Sequence, residues 1–129
     1  MIFLNDLHKN NYLRLTQNAG IHNHDIERIS LFYIISGNEE LYNKKNFIYD
    51  FHENFINIDC LDSADIDLSS SLKNLIRIGF NLYNGYMDEK INPLWTLASL
   101  DSVNFMLLMN AIHLRFNKKT NCDLNKVLA

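Results

Sequence analysis

A mostly α fold is predicted, a compact bundle of about five helices with one small β-hairpin near residues 47–58, on the strength of three observations. First, Leu72 to Tyr86 puts Leu72, Leu75, Ile76, Gly79, Phe80, Tyr83 and Tyr86 on one helical face, with Ile78 and Leu82 widening it. Second, two more segments, Leu31 to Ile35 and Val103 to Phe116, are apolar around nearly their whole circumference, as expected of helices surrounded by other elements. Third, Ser, Asn or Asp precedes the helical stretches, and glycine follows three of them. At 129 residues, with 47% hydrophobic and 21% charged residues, the chain is read as one helical domain, 1–129, with 118–129 expected to fray.

Taken in order, Asn5 or Asp6 caps a first helix running to Asn18, and Gly20 ends it on the outside of the bundle. Asp25 caps a second, Ile26 to Ser36, closed by Gly37; a short strand is the alternative for so apolar a run. Asn38 opens a helical turn over Glu39 to Lys45. Phe47 to Phe51 and Phe55 to Ile58 then form either a hairpin around Glu53 and Asn54 or a loop with aromatic anchors. The serines at 69–71 start the central helix, and Gly85 stops it in the left-handed region. Gly79, inside its apolar arc, marks a close approach by another backbone. Asn92 and Pro93 are an N-cap and first-turn pair for a short helix to Ala98 or Leu100. Asp101 or Ser102 begins the last helix, to about Asn117, expected to pack on the central helix as the second half of the core.

Charge and motifs narrow the function classes. A net charge of −3 gives no electrostatic reason for direct nucleic-acid binding. Cys60 and Cys122 lack any metal-ligand spacing and read as free thiols of a reducing cytoplasm. The polar opening and the lack of a long apolar run predict neither a signal peptide nor a membrane span. No phosphate-cradling glycine loop, nucleophile elbow or zinc-protease motif is present, and no cofactor or metal is expected. His22 and His24 form a His-x-His pair in a linker without a third ligand nearby. Cys60 has His52 eight residues away, but its acidic surroundings oppose a thiolate.

Two constellations remain as binding candidates. Asn74, Arg77, Asn81 and Asn84 are spaced three, four and three apart and rise in one line, so an arginine among amides is offered to a carboxylate or phosphate. The alternatives are a solvated helix face, or Arg77 bonded internally to the acidic loop. That loop, 50–67, holds Asp50, Glu53, Asp59, Asp62, Asp65 and Asp67 with no Lys or Arg. It lacks the glycine and closing glutamate of a calcium loop, which leaves a solvated surface or a patch for a basic partner, with Asp62, Asp65 and Asp67 as its binding residues.

The run Phe80-Asn81-Leu82-Tyr83-Asn84-Gly85-Tyr86 after Arg77, together with Leu31-Phe32-Tyr33 and Ile48-Tyr49-Asp50-Phe51, resembles a family of small uncharacterised proteins of low-GC Gram-positive bacteria, their phages and mobile elements. The likeness covers most of the chain. It departs just before the central helix, where the family pattern has a Trp-Gln-Thr-like segment and this chain has Asp62 to Ser71. The resemblance implies a short phage or mobile-element protein that acts by binding a host protein, with a defence system such as a CRISPR effector as one target. The expected function is therefore noncatalytic inhibition of a host protein, in the host cytoplasm, with the oligomeric state open. The rivals are an enzyme and a sponge for a nucleotide signal, the latter needing Tyr83, Tyr86 or Trp95 around a pocket with Arg77.

Overall fold

The computed structural model describes residues 1–117. The expected fraying of 118–129 lies outside them. Seven α-helices occur among the described residues: α1 (Asp6–Ala19), α2 (Ile26–Gly37), α3 (Glu39–Asn43), α4 (Lys45–Ile48), α5 (Ser70–Asn84), α6 (Pro93–Ser99) and α7 (Ser102–Phe116). Between α4 and α5 come β1 (Tyr49–Asp50), β2 (Phe55–Ile56) and a 3₁₀ turn, Ile58–Leu61. The mostly α fold with one hairpin stands, though the 39–48 stretch divides into two short helices.

Local chemistry sets most of these limits. Asn5, Asp25, Asn38, Ser69, Asn92 and Asp101 each accept a backbone N–H of the helix that they open. Gly20 and Gly85 close α1 and α5 in the left-handed region, with φ of 63° and 81°. The hairpin is antiparallel, pairing Tyr49 with Ile56 and Asp50 with Phe55. Asp50 Oδ1 receives the N–H groups of His52 and Glu53, and Asn54 takes a positive φ, 56°. Beside it, Tyr49 and Phe51 pack their rings on Phe32.

The core is centred differently from expectation. α2 lies between α1, α5 and α7 and makes its main contacts with all three, whereas α5 meets α7 over a smaller area. Every residue from Ser30 to Ile35 is fully buried. The central and last helices therefore do not form the two halves of the core; both pack on α2, because a helix apolar on all sides loses most from water wherever it is exposed. Gly79 faces α2, and a Cβ there would stand 3.2 Å from Leu31 Cδ1 and 3.4 Å from Ile34 Cδ1. The near neighbours are α2 side chains and not backbone.

α1 is also less peripheral than its sequence suggests, since His8, Asn11, Tyr12 and Leu15 are buried. His8 Nε2 donates to the Tyr33 carbonyl at 3.0 Å, while its Nδ1 accepts the Leu4 N–H at 3.1 Å. These partners define the neutral, Nε2-protonated ring. Tyr33 extends the network: its hydroxyl donates to the Ile2 carbonyl at 2.5 Å and accepts from Asn110 Nδ2 of α7 at 3.1 Å. One α2 residue thus ties the amino-terminal segment to the last helix.

Burial lowers the His8 pKa, outweighing the carbonyl that favours its charged form. Below its ordinary value of 6.5 the unfolded chain takes a proton that the folded chain refuses, so folding stability falls with pH by up to about 1.4 kcal/mol per unit. Urea unfolding between pH 7.5 and 5.5 should show this loss, and His8→Gln should show a smaller one over the same range.

Candidate functional site

Most of the polar stripe of α5 is covered by the chain itself. After Gly85 the backbone turns and runs back along α5, and each stripe residue holds part of the returning segment. Asn81 Nδ2 donates to the Tyr86 carbonyl at 3.0 Å and approaches Met87 Sδ at 3.3 Å. Arg77 Nε donates to Asp88 Oδ2 at 3.0 Å. Asn74 Nδ2 reaches Ser99 Oγ at 3.1 Å, and Ser71 Oγ donates to the Ser99 carbonyl at 2.9 Å. Asn84 stays exposed, its Oδ1 accepting the Tyr86 N–H at 3.1 Å to tighten the turn.

This corrects the picture of Arg77 as a surface recognition group. Arg77 is 4% exposed and spends its guanidinium on Asp88 and Asn74. The internal alternative is the one realised, with Asp88 and not the acidic loop as partner. The physical reason is that a line of amides and one guanidinium can satisfy the polar groups of a returning strand as readily as those of water. A left-handed Gly85 followed at three residues by an acid was the available signal.

Asp88 is the centre of the clip. Its Oδ2 accepts from Arg77 and from the Tyr86 hydroxyl at 2.9 Å, and its Oδ1 accepts the Lys90 N–H at 2.8 Å. Burial works against the carboxylate, but these donors outweigh it and hold its pKa below the usual carboxylate value. Tyr86 also sets its ring edge-on to Phe80, so the aromatic end of the stretch packs while its hydroxyl anchors.

The other candidate groups stay apart. Asp62, Asp65 and Asp67 are exposed on the loop before α5, where the Asp67 carbonyl accepts from Lys44 Nζ. His22 and His24 are exposed, and no group of three or more His, Cys, Asp or Glu converges on a metal position among the described residues. Cys60 is buried, and burial pushes its thiol up to about 12, a poor nucleophile at neutral pH. Of the groups named for a nucleotide sponge, Tyr86 and Arg77 both bind Asp88, Tyr83 bonds the Tyr49 hydroxyl and the Asn54 carbonyl, and Trp95 is in solvent. An open groove of about 920 Å³ beside the hairpin is bordered by Asp50 and Glu53, which oppose a phosphate.

The feature that sequence reasoning missed is α6. Leu94 and Trp95 are 72% and 73% exposed and Leu97 is also exposed, whereas Thr96 is 1% exposed. The helix is turned inside out, with its hydroxyl residue in and its large apolar residues out. Seven residues are too few to show a periodic face, so no sequence signal separated this arrangement from an ordinary packed helix. No helix among the described residues is long and apolar enough to cross a membrane.

Residues 1–127 match the model of a family of unknown function, DUF6075, and the chain belongs to that family. No curated protein and no solved structure shows significant similarity to it.

The clip should be structural in a measurable way. Arg77→Ala leaves a partly buried carboxylate without its cation and should lower unfolding free energy by about 2–3 kcal/mol in urea titrations. Replacing Asp62, Asp65 and Asp67 each by Ser should change it by no more than about 0.5 kcal/mol per site.

Proposed function

We propose, starting from membership of a family without an assigned function, that the chain is a noncatalytic binding protein that inhibits a protein of its host. The observation that carries this reading is α6, which holds Leu94, Trp95 and Leu97 in water while α5 secures its last residue, Ser99, through Ser71 at the carbonyl and Asn74 at the hydroxyl. Exposing large apolar side chains costs solubility and gives the fold nothing, and such residues mark contact surfaces when they cluster on a fixed frame. Tryptophan is enriched among the side chains that dominate protein interfaces, because one rigid ring buries a large area at a small cost in side-chain entropy.

The acidic loop serves as an independent, electrostatic part of the same reading. Asp62, Asp65 and Asp67 are exposed and meet a basic groove by steering and by exclusion of wrong partners, more than by raw affinity. The resemblance to phage and mobile-element proteins gives the finer form: the target is a defence protein of the bacterial host cytoplasm, such as a CRISPR effector. Stripping the partner of its function by occlusion requires complementary shape and no reaction chemistry.

Affinity-tagged protein should capture its target from a host lysate, and the purified target should lose activity on binding. Trp95→Ala should weaken the purified pair by about 30-fold or more without moving the thermal midpoint of the free protein. The triple Asp62→Ser, Asp65→Ser, Asp67→Ser variant should slow association and flatten its salt dependence. A protein that captures nothing and whose thermal midpoint rises with a nucleotide would defeat the reading.

A further inference from the structure

We infer that α7 mediates self-association: two copies pair through its outer face, antiparallel, about a two-fold axis at Met109. The inner face of α7 buries Asn104, Leu107, Leu108 and Ala111. On the opposite side Phe105, Met106 and Phe116 are exposed, and Met109 is partly so. Leu100, Ser102, Phe105, Met106 and Met109 line a shallow groove of about 370 Å³. A helix apolar on both sides is one that is covered on both sides, and α2 covers only the inner one.

The outer positions follow the spacing by which helices pair. Ser102, Phe105 and Met106, Met109, Ile112 and His113, and Phe116 recur at steps of three and four, the period of a coiled-coil seam. They are also symmetric about Met109: Ser102 and Phe116 lie seven residues to either side, Phe105 and His113 four, and Met106 and Ile112 three. Antiparallel pairing therefore sets Met109 on its own copy and the smallest residue, Ser102, against the bulky Phe116. Parallel pairing would crowd Phe116 on Phe116 and leave space between two serines. Large against small is the arrangement that fills a seam, and antiparallel helix dipoles favour the same orientation. The seam residues include no Lys, Arg, Asp or Glu, so two copies meet without like-charge repulsion.

The area is of the right size. Phe105 and Phe116, 43% and 54% exposed, leave about 200 Å² in water if a whole aromatic side chain covers roughly 200 Å². Met106, 55% exposed, and the partly exposed Met109 raise the apolar surface to on the order of 300 Å². A stable dimer takes about 800 Å² from each partner, of which about 56–65% is apolar, so the stripe supplies most of that share. Self-complementarity about one residue is what an isologous interface requires and what an unrelated partner does not.

The experiment uses the full chain with Cys122→Ser, since the remaining Cys60 is buried. Light scattering should give a mass twice 15.1 kDa, and Met106→Glu and Met109→Glu should each halve it while circular dichroism stays unchanged. Under mild oxidation Met109→Cys should form a disulfide-linked dimer at least about tenfold faster than Ser102→Cys, because the antiparallel register holds the two 102 positions about 21 Å apart. A monomeric wild type, a dimer that survives both glutamate variants, or self-linking of Ser102→Cys as fast as Met109→Cys would each overturn the proposal. A monomer that dimerises only after truncation at Asn117 would overturn it too, by giving the face to the chain's own tail. Trp95→Ala should leave the dimer intact, which keeps this test separate from that of target binding.

Discussion

A helix whose run from Ser30 to Ile35 has no side for water dictates the architecture. α2 carries Leu31, Phe32, Ile34 and Ile35 at full burial, each contributing on the order of 1.5–3 kcal/mol when taken out of solvent, and α1, α5 and α7 are arranged to enclose it. The enclosure is not oil alone. Tyr33 uses its hydroxyl and its carbonyl to hold Ile2, Asn110 and His8, so the helix also fixes how its neighbours are oriented. Among the described residues no buried side-chain nitrogen or oxygen is left without a partner, as a low-dielectric centre demands.

The parts of this fold legible in the sequence are those governed by chemistry within four or five residues. Asn5 and Gly20 around α1, Ser69 and Gly85 around α5, and Asn92 with Pro93 at the start of α6 act locally, and their limits were readable to within a residue or two. Which of three oily helices lies in the middle is a different kind of fact. Leu31 to Ile35 and Val103 to Phe116 are both rich in large apolar residues, and only the packing of the whole chain puts the first inside and leaves the second half open. α4 and the 3₁₀ turn are four residues each, too short for any period to show.

The candidate site was less legible because polarity in a sequence states a need for hydrogen bonds without naming who meets it. Arg77 and Asn81 carry the residue types of a recognition surface, and their partners turn out to be Asp88, Tyr86 and Met87 of the same chain. The run from Phe80 to Tyr86, which stands out as a marker, is accounted for as a turn: Gly85 supplies the backbone angle, Asn84 and Asn81 brace it, and Tyr86 helps hold the carboxylate that locks it. In a family of unknown function, such a run reports how the chain reverses direction. The exposed apolar residues of α6, Leu94, Trp95 and Leu97, carry nothing in their composition that separates them from core residues.

The way α6 is attached has an evolutionary corollary. It is held at Ser99, whose carbonyl accepts from Ser71 and whose hydroxyl accepts from Asn74, whereas Leu94, Trp95 and Leu97 add little to the interior. Positions that point away from the frame can be exchanged at little energetic cost, so the three outward side chains form a replaceable tip on a constant mount. A lineage pressed to follow a changing target would alter that tip first, and could do so without learning to fold again.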